Sequence, residues 1–104
     1  MTNGSRYLTF TIEQFKPNYG VHPGQTLKEV LDEAGLSQAD LARAIGISQK
    51  HISRVITGKA GIGPDLALRL ERELRIDAGF WARYQANFDI HVARRSFLEA
   101  MVSG

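Results

Sequence analysis

Between Gln49 and Lys59 the chain carries Gln49, Lys50, His51, Ser53, Arg54, Thr57 and Lys59, and no carboxylate. Amides, hydroxyls and cations of this kind donate hydrogen bonds, whereas an acid among them would repel phosphate. Gln49 can pair with adenine in bidentate fashion, and Lys50 or Arg54 with guanine. His51 and Ser53 add shorter groups able to reach the same base edges. This is chemistry for recognition rather than for bond breaking.

The charge balance points the same way. The net charge of +2 says little alone, but Asp40 and Asp65 are consecutive acids with Arg43, Lys50, Arg54 and Lys59 between them. A solvated helix face usually carries both signs. A local basic patch on a mildly basic domain suits a polyanion better than a small anion.

Helices must position these groups. Pro23 can open a helix in which Leu27, Val30, Leu31 and Ala34 share one face until Gly35 stops it. Ser37 caps a second, with Leu41, Ala42 and Ile45 inward and Gly46 at its end. Ser48 caps a third, with Ile52, Val55 and Ile56 buried and Gly58 beyond it. The wheel then turns Lys50, Ser53, Arg54 and Thr57 outward and sets Gln49 and His51 on the flanks. Pro64 opens a fourth helix through Leu66, Ala67, Leu70 and Leu74. Asp77 caps a fifth carrying Phe80, Trp81, Tyr84 and Phe88, and a sixth is expected over the tail from His91 to Val102. All four aromatics are expected in the core. The alternative is that one or two of them line a dimer or toxin surface, Tyr84 or Phe88 before the others, because Phe80 and Trp81 begin the helix where it docks. The alternation in YLTFTI, residues 7–12, reads as a short strand that pairs with another chain, packs as an extended arm, or is not a strand.

Only Gly46, Ile47 and Ser48 separate the second and third helices. Ala42 is small where the two would cross, and Gly46 can take the left-handed conformation of a sharp turn. This is a helix-turn-helix pattern, whose second helix enters the major groove of DNA. Ser37 and Gln38 then open the first helix of the pair, where free amides and the helix dipole can hold a phosphate. Ser48, Arg43, Thr57 and Lys59 are candidates for further phosphate contacts, although Arg43 taken alone is better read as ordinary exposed polarity.

Other chemistries find no support. His22, His51 and His91 are too scattered for a recognisable metal site, and no HExxH occurs. The glycines from Gly58 to Gly63 lack the Lys-Ser/Thr and preceding strand of a phosphate loop, and no catalytic triad is discernible. No enzyme, cofactor or metal is expected. At 104 residues, 43% hydrophobic and 23% charged, the chain suits one folded domain. It has no cysteine, no apolar run of roughly 18 residues for a membrane span, and no signal-peptide core in MTNGSRYLTF. A cytoplasmic protein is the expectation.

The stretch GLSQADLARAIGISQKHISRVITGK resembles the helix-turn-helix of the lambda repressor and Cro-like (XRE) regulators. The wider run from His22 to Ile90 is similar to the HigA antitoxin branch, through its opening HPG, GKAGIGPDLALRL and the ending FWARYQANFDI. The resemblance implies an all-α, five- to six-helix lambda-repressor-like domain over residues 22–90, after an arm over 1–21 and before a C-terminal helix over 91–104. It implies a homodimeric autorepressor that binds a palindromic double-stranded operator and neutralises a HigB-type toxin. By motif position, Gln38 would contact phosphate, Gln49, Lys50 and Arg54 would read bases, and Thr57 and Lys59 would hold the backbone. The match departs at both ends, where the arm and the basic HVARRSFLEAMVSG extend past the usual limits. The alternatives are a stand-alone XRE-type repressor and a module whose basic helix binds an acidic protein. The toxin surface is expected away from the third helix, in part on the arm. Self-association is expected through Tyr84 to Met101, or through arm pairing by Leu8, Phe10 and Ile12.

Overall fold

Helix α1, Pro23–Ala34, starts on a histidine. His22 Nδ1 accepts the Gly24 amide at 2.9 Å, and Pro23 fills the first position, where a missing N–H costs nothing. Gly24 has a second duty. A Cβ there would stand 1.9 Å from the Val55 carbonyl oxygen, so the start of α1 rests directly on the backbone of α3, Gln49–Ile56. Gly35, at φ 71°, ends α1 in the left-handed region.

The computed structural model describes residues 18–103, and among these it is all helical. Between α1 and α3 lies α2, Gln38–Ile45; α4, Pro64–Leu74, and α5, Ala78–Ser103, follow. The expected strand over residues 7–12 and the arm-pairing residues Leu8, Phe10 and Ile12 fall outside the described residues.

Leu27 and Val30 of α1, Leu41 of α2, Ile52 and Val55 of α3, Leu70 and Leu74 of α4 and Trp81 of α5 meet in one core, all with no exposure. Burying each such aliphatic side chain contributes about 1.5–3 kcal/mol. The apolar faces expected for the first four helices are the buried ones, with Ala34 only half-buried.

The end of the chain differs from expectation in one respect. Asp77 does cap α5, its Oδ2 accepting the Phe80 amide at 3.2 Å. The helix then runs unbroken to Ser103, so the fifth and sixth helices are one. No glycine or proline lies between Gly79 and Gly104 to interrupt it. The four aromatics form the docking stripe of α5, with Trp81 and Tyr84 buried at its centre and Phe80 and Phe88 half-buried, so the core reading holds and the partner-surface alternative fails for Tyr84. Its hydroxyl donates to the Asn18 carbonyl at 3.0 Å and accepts from the Thr26 hydroxyl at 3.1 Å. Phe88 is half-buried against the His22 ring, with centroids 5.0 Å apart.

Candidate nucleic-acid interface

The site begins with two serine caps. Ser37 Oγ accepts the Asp40 amide at 3.0 Å while Asp40 Oδ2 accepts the Ser37 amide at 3.2 Å, a reciprocal capping box at the head of α2. Ser48 Oγ accepts the His51 amide at 3.1 Å at the head of α3. In both caps the hydroxyl oxygen accepts; the Ser48 proton stays available to a phosphate oxygen, whereas the Ser37 hydroxyl also serves the Asp40 carboxyl. Gln38 is the first residue of α2, half-buried.

The turn between α2 and α3 follows from two small residues. Gly46, at φ 74°, donates its amide to the Ala42 carbonyl at 2.9 Å, and the Ile47 amide reaches the same oxygen at 3.1 Å. Ala42 is buried at the crossing. A residue that the sequence reading passed over completes the joint. Arg69 of α4 donates through Nη1 to the Ile45 carbonyl at 2.6 Å and through Nε to Asp65 Oδ2 at 2.9 Å. Its cation thereby sits at the negative end of α2. The Asp65–Arg69 spacing was a visible signal for half of this contact; the other half depends on how closely α4 approaches α2.

Helix α3 is two-sided. Ile52 and Val55 have no exposure and Ile56 is buried, while Gln49, Lys50 and Arg54 are exposed and His51 and Ser53 half-buried. Gln49 and Lys50 occupy the first turn. Arg54 lies in the last turn rather than near the start, and its Nη2 donates to the Lys59 carbonyl at 3.2 Å. The Lys59 amide returns a bond to the Arg54 carbonyl at 2.8 Å, so the Arg54 guanidinium is held against the backbone of Lys59. Thr57 closes the helix: its hydroxyl donates to the Ser53 carbonyl at 2.9 Å, with the Arg54 carbonyl at 3.3 Å. Its single proton is thus engaged within the helix.

The acids that bracket the basic stretch are both paired. Asp40 binds Arg43 and Asp65 binds Arg69. The Ser37 amide, then its hydroxyl, with Arg43 adding to them, hold the exposed Asp40 carboxyl below the usual carboxylate range. Arg43 therefore offers a phosphate less than a full charge, and Lys50, Arg54 and Lys59 carry most of the patch. Among the described residues no cluster of His, Asp or Glu could hold a metal ion, and no helix is long and apolar enough to cross a membrane.

Comparison with known proteins agrees with this geometry. Residues 27–81 match the helix-turn-helix family model. The chain is 37% identical over 76 residues to virulence-associated protein I of Dichelobacter nodosus, across 72% of this chain and 70% of that one. A structure from Nostoc punctiforme, assigned as an antidote protein of a plasmid maintenance system, superposes with a TM-score of 0.76 at 30% identity. That likeness covers 80% of this chain and 91% of the other. Antitoxin HigA of Pseudomonas aeruginosa, solved with the higBA promoter, gives a TM-score of 0.73 at 31% identity over 83% of this chain and 91% of that chain. The chain belongs to the XRE-type helix-turn-helix family of DNA-binding, non-catalytic proteins, with the architecture of its HigA antitoxins.

Proposed function

We propose that this protein is a cytoplasmic antitoxin that neutralises a HigB-type toxin and represses its own operon as a homodimer on a palindromic operator. The carrying observation is the exposed, acid-free row of donors on α3, seated on a fully buried apolar stripe. Gln49, Lys50 and Arg54, flanked by His51 and Ser53, read base edges. Ser37, Gln38, Ser48 and Lys59 hold phosphates, with Arg43 in a lesser role and Thr57 contributing only once its hydroxyl turns away from the helix. The promoter in the P. aeruginosa HigA structure supports the DNA half of this reading, and the antidote and antitoxin relatives support the toxin half.

The homodimer rests on α5. Every residue from Asp89 to Val102 is exposed, including Ile90, Phe97, Leu98 and Met101. A short helix projecting without tertiary support is marginal in water. A second copy covers those side chains and supplies the second half-site that one module lacks.

The test is selection of duplexes from a random-sequence library by the full-length protein. A two-fold symmetric consensus bound by a dimer is the expected result; no enrichment over random DNA sinks the reading. For the toxin, co-expression with a HigB-type protein encoded beside it restores growth, and Arg54→Ala preserves that rescue. Loss of rescue in a folded Arg54→Ala protein would place both functions on one surface, against the separation proposed here.

A further inference from the structure

One turn of α5 reaches across to the segment that follows α3. Gln85 Oε1 accepts the Ile62 amide at 2.8 Å, across 23 residues of sequence, and Ile62 itself is buried. Gln85 Nε2 donates to Asp89 Oδ1 at 2.9 Å, which fixes the orientation of the amide. Gly61 has no side chain where a Cβ would come within 3.1 Å of Gln85, so the loop lies close against this residue. At the other end of the loop, Phe88 packs on His22, and the His22 ring faces Gly58. Only Ala60 and Gly61 separate Ile62 from Lys59, and Lys59 is the residue whose carbonyl holds the Arg54 guanidinium.

We propose that Gln85 is a positioning residue for DNA binding. Through the Ile62 amide it fixes the 58–62 loop, and the loop in turn sets Lys59 and the Arg54 guanidinium in place before DNA arrives. This rests on the reading that Arg54 and Lys59 face DNA. Without the Gln85 bond, the Lys59 and Ala60 amides on the Arg54 carbonyl and the buried Ile62 remain, but the loop between them is looser and part of its ordering is deferred to binding. Ordering a mobile side chain at an interface weakens binding by about two- to tenfold.

The experiment uses the full-length protein and the tightest duplex that the wild type selects from a random library. Gln85→Met keeps the length and the contact with Gly61 but loses both hydrogen bonds. It is expected to bind this duplex about two- to tenfold more weakly per half-site, with faster amide exchange at Lys59 to Ile62 and unchanged protection in α1 and α4. The paired swap Gln85→Glu with Asp89→Asn keeps the net charge, an acceptor for the Ile62 amide and a donor on residue 89. It is expected to restore both affinity and protection. Wild-type affinity in Gln85→Met overturns the proposal, as does weakened binding that the swap fails to restore. Absence of any duplex preference in the wild type overturns the DNA reading itself, and the proposal with it.

Discussion

Helix α3 and the outer half of α5 both face solvent, but they do so in opposite ways. On α3 the apolar side is wholly buried and only donors are exposed. On α5 beyond Asp89 nothing is buried, and Ile90, Phe97, Leu98 and Met101 stand in solvent beside Arg94, Arg95 and Glu99. A polar face on a rigid backing is built to meet a charged, hydrated surface in a fixed geometry. An apolar face with no backing is built to be covered by protein. Under the function proposed above, the two regions divide the labour, one facing nucleic acid and the other a polypeptide.

The sharpest way to break this contrast is to remove the backing. Ile52→Ala should destabilise the fold by about 2–5 kcal/mol and abolish DNA binding at temperatures where the wild type is folded; denaturant unfolding beside a binding titration measures both. The next effect is on base reading. Arg54→Ala should lose about 1–3 kcal/mol of preference for the selected duplex while binding to scrambled duplex changes little. Lys59→Ala should instead weaken both duplexes alike and flatten the salt dependence by about one unit of slope for each lost phosphate contact. If the two variants exchanged these behaviours, Lys59 would be the reader and Arg54 the anchor.

A smaller effect is set by pH. Burial lowers the His22 pKa below its ordinary 6.5, against an opposing pull from Asp89, and the α1 cap requires an unprotonated Nδ1. The unfolded chain then binds the proton more readily than the folded one. The contribution is fully present above pH 6.5 and is lost as pH falls through the folded-state value. His22→Asn keeps a capping oxygen, so its stability should fall less steeply between pH 7 and pH 5 than that of the wild type, by thermal unfolding across that range. The smallest stability effect belongs to the outer half of α5. Phe97→Ser should shift monomer stability by no more than about 0.5 kcal/mol, yet reduce self-association in sedimentation. A large loss of monomer stability would show that Phe97 is backed after all.

How much of this was legible in the sequence depended on the range of the interaction. The α2–turn–α3 unit was readable because caps, the left-handed Gly46 and the buried stripe are all local. Spacing placed the four aromatics of α5 together in the core but could not rank them, which left Tyr84 open as a partner-surface residue although it lies at the centre of the stripe. The His22 cap is local to the HPG stretch, but the close contact of Gly24 depends on α3 arriving from another part of the chain. Gln85 carried no sequence signal, since its partner is a backbone amide 23 residues away.

The continuity of α5 has a mechanical consequence. A helix of 26 residues with no break is a rod about 39 Å long, and it locks the angular phase of its tip to the body that carries α3. One residue inserted between Ile90 and His91 would turn everything beyond it by about 100°, so a dimer joined at the tips would present its two α3 helices out of register with the DNA repeat. Seven inserted residues would leave the tip only about 20° from its original facing and move it outward by about 10.5 Å. Such a protein should recover its half-site preference but at a different gap between half-sites, making the length of α5 the gauge of the operator.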